Sequence, residues 1–542
     1  MLPASPPSKR AARWIIEGRG ESVTKGNKGA SIPVPVPAPE RMAWYELNDL
    51  GNADRLIDLA RGRLLWVEDH WRAYDGKRWS IEDGPRLAQQ LAHDMARHIP
   101  IEAAAMEEQA ETEQNAEKKA AMQERAVALY KHGIMSGNAN KTTAALAQAK
   151  SKLAAARDEF DADPMALNVA NGTLRFEQAD GGDWSAKLYP HDLADRISRI
   201  SEVAWNEKAE CGAFDRHMAT VLPDPAVRDF FQACAGYSLT GEITEQCIFL
   251  LQGKGGDGKS TTMDVLREVM GGYGAIVGVE SFIHGAARSG AEASPDMARL
   301  AGDVRLVSTG EPKIGAALDE ARIKQVTGGQ PIIARELHGA PFEYRPHYAI
   351  FFECNRKPRI SGDDDGIWRR IVVIEFPHQF KGAADKMATR KLLAESEGVL
   401  RWLVAGTLRW LREGLIPPER VREAIEDYRR SSNPFGEWFA ERVDTSDPSV
   451  NEYSKSLYDD YKLFCEDNSV ADREVMTSTA FGRALGDKQL AKFKGSDGKV
   501  QRKGCRLRDA SELSLPPAPP ASDPSQSRDW PDDAAYGSEL DD

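Results

Sequence analysis

The chain has 542 residues, of which 41% are hydrophobic and 29% charged, with a formal net charge of −13. This is ordinary globular composition, and the length leaves room for roughly two to four domains. No apolar run approaches the ~18 residues of a membrane-crossing helix, the N-terminus lacks a signal-peptide core, and the six cysteines (Cys211, Cys234, Cys247, Cys354, Cys465, Cys505) form no C-x-x-C pair, so a membrane protein, a secreted disulfide scaffold and a zinc ribbon are not expected, and a reducing cytoplasm is.

Residues 1–42, with the run Ile32-Pro-Val-Pro-Val-Pro-Ala-Pro39, predict a disordered arm. Residues 43–100 predict a small α+β region. Leu64–Val67, Trp71–Tyr74 and the segment ending at Trp79 read as short strands turning at Asp75-Gly76, with a helix over about 85–98. Residues 101–160, rich in Ala, Glu, Gln and Lys, predict a helical hairpin broken near Gly133 to Gly137. Residues 161–242 predict a mostly helical domain, with a strand pair around Asn171-Gly172 and helix over 212–240.

A core follows over 243–380. The apolar run at 248–251 enters Gly253-Lys254-Gly255-Gly256-Asp257-Gly258-Lys259-Ser260-Thr261, which satisfies the phosphate-binding template G-x-x-x-x-G-K-[ST] at each fixed position. Glycines let backbone N–H groups curl around phosphate oxygens. A helix beginning at about Ser260 directs its positive end at the same anion. Lys259 is suited to the outer phosphates and Ser260 to Mg²⁺, so ATP and Mg²⁺ are the expected ligands. Gly253, Gly255, Gly256, Asp257, Gly258, Lys259, Ser260 and Thr261 are the candidate nucleotide contacts.

A second acidic site belongs at the end of a neighbouring strand. The apolar stretch 304–307 leads through Gly310 to Glu311, the candidate for polarising water or holding the metal. Two β-prone runs around His338-Gly339 predict a hairpin with a basic tip. Lys324, Arg335 and His338 are candidate phosphodiester contacts there. Another strand ends at Glu353-Cys354-Asn355, where the Asn355 amide can orient an attacking water. Arg369 and Arg370 precede a further strand, and one of them is a candidate for stabilising transition-state charge in a neighbouring subunit's site.

Residues 381–432 predict an amphipathic helical lid or linker, with Trp402, Leu403, Leu408 and Trp410 as core candidates. Residues 433–508 predict three helices plus a basic hairpin. The stretch 482–508 holds nine Lys or Arg against Asp487 and Asp497. A helix followed by a basic two-stranded wing suggests a winged-helix-like DNA contact. Residues 509–542 predict a disordered acidic tail.

The order of these motifs resembles the superfamily-three helicases of the phage and plasmid primase–helicase group, related to poxvirus replicative helicase-primases. The resemblance rests on Gly253 to Thr261, Glu311, the Lys324–Arg335 stretch with its Thr-Gly-Gly, Asn355, and Gly366-Ile-Trp-Arg-Arg370. Upstream it extends to Leu167–Thr173 and Gly236–Gly241. It implies an α/β, AAA+-like P-loop NTPase core with the central motifs on adjacent strands. It also implies a hexameric ring drawing one DNA strand through its centre, with His338 near the pore. The chain departs from the group at Asp257, where Asn is frequent, and at Glu353, where a small residue is usual. The expected activity is ATP-dependent unwinding of duplex DNA in replication of a phage, plasmid or integrated element, with single-stranded and forked DNA and a separate primase or loader as the expected partners. No zinc module or catalytic carboxylate set for primer synthesis precedes residue 160. An ATP-controlled origin-binding initiator and a helicase-primase are the alternatives.

Overall fold

The computed structural model describes residues 36–284, 295–313, 315–337, 339–360, 365–380, 385, 387–468 and 475–509. The arm up to residue 35, the tail from residue 510 and the hairpin residue His338 lie outside the described residues. The chain divides into two compact units, residues 1–426 and 427–542.

In the first unit, helix α1 (Asp49–Ala60) starts at Asn48, whose side chain accepts the Gly51 N–H. A three-stranded antiparallel meander follows, β1 (Leu64–Val67), β2 (His70–Tyr74) and β3 (Trp79–Ser80). Three helices come next: α2 (Gly84–Thr112), α3 (Ala116–Ser136) and α4 (Ala139–Lys152). Helix α2 continues past residue 98 and through Pro100, while the break expected near Gly133 to Gly137 falls at Gly137, the C-cap of α3, and not at Gly133. A Cβ on Gly133 would stand 3.0 Å from the Pro100 ring and 3.3 Å from Ile99 Cβ. The glycine admits the proline ring of the adjacent helix, and only Gly137 ends α3. Arg55 of α1 and Glu102 of α2 form a fully buried ion pair at 2.9 Å, which ties these helices together.

The segment expected to be mainly helical begins instead with an antiparallel sheet of β4 (Ala166–Val169), β5 (Gly172–Gln178) and β6 (Trp184–Tyr189). The β4–β5 turn at Asn171-Gly172 is as read, and β6, half-buried at its start and exposed at its end, was missed although Trp184, Ala186 and Leu188 alternate with Ser185, Lys187 and Tyr189 along it. Helices α5 (Gly212–Val221) and α6 (Pro225–Tyr237) follow, the latter capped by Asp224.

The centre of the unit is a five-stranded parallel sheet of β7 (Ile248–Gly253), β8 (Gly274–Val277), β9 (Leu306–Thr309), β12 (Ala349–Cys354) and β13 (Ile371–Phe376). Its order is β13-β7-β12-β9-β8. Strands β7, β12 and β13 are nearly continuous buried apolar runs, as a parallel sheet covered on both faces requires. Helix α7 (Lys259–Met270) follows β7 directly. Helix α8 (Glu320–Thr327) and the antiparallel pair β10 (Ile332–Arg335) and β11 (Pro341–Tyr344) lie between β9 and β12 in the chain.

Helix α9 (Ser396–Glu413) belongs to the core. A Cβ on Gly236 of α6 would meet the Thr407 nitrogen at 2.2 Å, and the Thr407 hydroxyl donates to the Gly236 carbonyl at 2.7 Å. That close crossing joins Leu400, Leu403 and Val404 to one apolar cluster with Phe214, Phe231, Phe249, Leu266 and Phe351. Helix α10 (Glu419–Ser432) follows.

The second unit holds α11 (Pro434–Arg442), β14 (Val443–Asp444), β15 (Asn451–Tyr453), α12 (Ser454–Asp467), α13 (Ser478–Asp487), β16 (Lys492–Lys494), β17 (Val500–Lys503) and β18 (Arg506–Leu507). Trp438, Tyr461, Phe464 and Phe481 form its core. Among the described residues, no helix is long and apolar enough to cross a membrane.

Candidate active site

Three adjacent strands of the parallel sheet deliver their carboxyl ends to one place. Strand β7 pairs with β12, and β12 with β9, all parallel. Their ends carry the glycine turn, Asn355 and Glu311 respectively, at the edge where open α/β sheets bind ligands.

The turn's backbone demands its glycines. Gly255, Gly256 and Gly258 have φ of 85°, 62° and 86°. At Gly258 space forbids a side chain as well, because a Cβ would meet Val221 Cγ1 at 2.6 Å. Gly258 is also the N-cap of α7 and supplies no side chain there, so the first N–H groups of the helix face the turn.

Inside the turn, Lys259 is only 4% exposed and Asp257 only 3%. The Lys259 ammonium is ion-paired with the Asp257 carboxylate and donates to Asn355 Oδ1 at 3.2 Å. Asp257 also accepts the Gly255 N–H at 3.0 Å and the Lys259 N–H at 3.3 Å. A carboxylate thus takes up donors of a loop shaped for an anion. Gly253 makes room for it, since a Cβ there would fall 1.9 Å from Asp257 Oδ2.

Asn355 joins the lysine to the second acid. Its N–H and its side-chain nitrogen both donate to Glu311, at 3.2 and 2.9 Å. The two bonds fix the carboxylate from one side. Ser260 is exposed at the helix start, and its hydroxyl donates to Glu353 Oε2 at 2.6 Å. Burial pushes the Glu353 carboxyl up from its ordinary range, while Ser260 and Lys259 pull it down. Thr261 is half-buried in the first turn of α7.

Two contacts to the turn were not visible in the sequence. Gln379 donates to the Gly255 carbonyl at 3.2 Å, and the Phe380 N–H donates to the Gly256 carbonyl at 2.8 Å. Both follow β13, whose register sets Phe376 beside Gly253. Only knowledge of that pairing would have pointed to them. His217 of α5 donates or accepts at Thr262 Oγ1 (2.8 Å) and stacks on Phe380, bracing the helix start from behind.

The remaining candidates lie elsewhere. Lys324 is half-buried in the last turn of α8. Arg335 ends β10 and donates to the Gly339 carbonyl at 2.9 Å, closing its own hairpin. The two arginines before β13 separate clearly. Arg369 is exposed. Arg370 is 8% exposed and donates to Thr327 Oγ1, the Gly366 carbonyl and Gln246 Oε1 at 3.1, 2.5 and 3.3 Å. Its guanidinium is held by groups of this chain, so of the two arginines Arg369 is the exposed one.

Fold and site together define a mixed α/β protein with a parallel sheet whose motifs converge at one sheet edge. A D5 N-terminal-like family model matches residues 53–223. A "putative helicase" of Acanthamoeba polyphaga mimivirus is 27% identical over 252 residues, covering 43% of this chain and 26% of that protein. A "putative helicase" of Frog virus 3 is 27% identical over 274 residues, covering 47% of this chain and 27% of its own. The matched region thus spans about a quarter of the length of these relatives. Among solved structures, the apo C-terminal region of NrS-1 is similar with a TM-score of 0.36 and 12% identity, over 62% of this chain and 84% of that one. These similarities support the primase–helicase resemblance that the motif order carries.

Proposed function

We propose that this protein is an ATP-dependent DNA helicase or translocase serving replication of a virus, phage, plasmid or integrated element. The observation that carries this reading is the meeting of Lys259, Asn355 and Glu311 at the ends of three neighbouring parallel strands around a glycine turn. The N–H groups of the turn and of the α7 start cradle the phosphates, and Lys259 binds their outer oxygens. Glu311, oriented by Asn355, draws the proton from the attacking water. The Ser260 hydroxyl and the nearby Glu311 and Glu353 carboxylates are hard oxygen donors suited to Mg²⁺, which when bound neutralises phosphate charge.

Arg369 is the residue assigned to the neighbouring subunit's site, because Arg370 is consumed by internal hydrogen bonds. This requires a ring, hexameric in the family resembled, with an AAA+-like P-loop core. Lys324, Arg335 and His338 are assigned to the DNA backbone, and the second unit to a winged-helix-like contact. A separate primase or loader would supply primers or load the ring.

The test is unwinding of a forked duplex together with ATP turnover. Lys259→Ala should abolish both. Turnover that persists in this variant, or that single-stranded DNA fails to stimulate in the unaltered protein, would overturn the reading.

A further inference from the structure

In the second unit, β15, β17 and β16 form a three-stranded antiparallel sheet in that order. The register sets Tyr453, Gln501 and Phe493 in one row across it. Directly opposed residues point to the same face, so this row shares a face, and with it go Lys499, Lys503 and Asn451 at alternate or paired positions.

The other face is spoken for. Arg502, one position along β17, is 5% exposed and donates to the carbonyls of Leu490 and Gly482, at 2.8 and 2.6 Å. That side packs against α13, and the Tyr453 row is the solvent side. There Tyr453 is 38% and Phe493 36% exposed. Two rings stand on strands separated by one other, about 10 Å apart from the usual strand spacing. The Tyr453 hydroxyl donates to Asp497 at 3.0 Å, which fixes that ring. Lys499 lies over the same ring at 5.6 Å.

Two rings flanking an amide, bordered by lysines, on one face of a sheet is an arrangement able to stack unpaired bases while pairing with their phosphates. A duplex hides its base faces, so the rings favour a single strand. The charge agrees. The whole chain is acidic at −13, yet 482–508 carries nine Lys or Arg against two acids, and Asp497 is engaged by Tyr453.

We propose that this outer sheet face, centred on Tyr453, Gln501 and Phe493 with Lys499 and Lys503, is a stacking platform for single-stranded nucleic acid. It rests on the DNA-handling reading above but on none of the residues of the ATP site.

The experiment uses the full-length protein, a fluorescein-labelled oligo(dT) and a blunt hairpin duplex of equal length, read by anisotropy over a salt series. Phe493→Leu with Tyr453→Leu keeps apolar bulk on the strands and removes both rings. It should weaken oligo(dT) binding about tenfold, with duplex binding, the salt slope and ATP turnover unchanged. Lys499→Ala with Lys503→Ala should instead lower the salt slope by about 1.4, the value for two phosphate contacts on a single strand. A 5-iododeoxyuridine oligonucleotide should crosslink to Tyr453 or Phe493. Unchanged oligo(dT) affinity in the ring variant, or equal loss of duplex and single-strand binding, would overturn the platform. In that case DNA-stimulated turnover in the unaltered protein would leave the helicase reading standing, whereas its absence would remove both.

Discussion

Asp257 is the residue whose position departs most from what a phosphate loop needs. Its carboxylate accepts from the Gly255 and Lys259 N–H groups and pairs with the Lys259 ammonium, so it holds donors that a triphosphate would use. On the proposed function, a bound nucleotide would have to displace it or accept its charge beside the phosphates, and either is unfavourable. Asp257→Asn keeps the shape and removes the charge. Since a hydrogen bond to a charged group is worth ~1.5–3 kcal/mol, fluorescent-triphosphate titration should show roughly tenfold tighter binding. Weaker binding would mean that the carboxylate positions Lys259 productively. The adjacent arginines separate by the same kind of argument. Arg370→Ala leaves Thr327, Gly366 and Gln246 without their donor, so it should lower the thermal midpoint markedly. Arg369→Ala alters an exposed cation, so it should leave the midpoint within about 1 °C and depress turnover. A reversed pattern in calorimetry and ATPase assays would transfer the neighbour-facing role to Arg370.

Between elements, the segment before β7 is tied to α9 by Trp410 Nε1, which donates to Glu245 Oε1 at 2.5 Å. Burial raises the Glu245 carboxyl above its ordinary 4.5, against the lowering effect of that bond and of the Leu415 backbone. A carboxyl raised in the folded state binds its proton more tightly there than in the unfolded chain. Its stabilising contribution is therefore present below about pH 4.5 and is lost as pH rises through the folded value. Glu245→Gln keeps an acceptor for Trp410 without the buried charge. Its thermal midpoint should exceed that of the unaltered protein at pH 8, and the gap should close toward pH 4; a gap that widens in acid would contradict this. The same scale explains what the sequence disclosed. Periodicity and turn chemistry located β7, β9, β12, the Asn171-Gly172 turn and the helix after Thr477, because each is encoded within a few neighbouring residues. Pairing is not local. Nothing near Pro100 announces that Gly133 will receive its ring, nothing near Gln379 announces the Gly255 carbonyl, and nothing in Arg369-Arg370 tells which guanidinium turns inward. Lys259, Glu311 and Asn355 were legible because the template and the strand ends mark them. The partners that constrain them, Asp257 and Glu353, were visible only as departures from the family's usual residues.

At the scale of the whole molecule, the exposed Arg369 matters only if subunits meet head to tail, so that one contributes the cation and the next the phosphate loop. Such heterologous contacts close into rings, and they make a prediction that no single-subunit enzyme shares. A Lys259→Ala subunit has a defective site of its own but retains Arg369. An Arg369→Ala subunit has an intact site but cannot complete its neighbour's. Each pure variant should be nearly inactive. In an equal, randomly exchanged mixture, half of the interfaces have an intact loop and half of those face an intact arginine, so about a quarter of interfaces are complete and turnover should recover toward that fraction. If Arg369 served its own subunit, or if the subunits acted alone, every site in the mixture would still lack one of its parts. ATP turnover at fixed total protein would then stay at the level of the pure variants, and the ring would have to be abandoned for this chain.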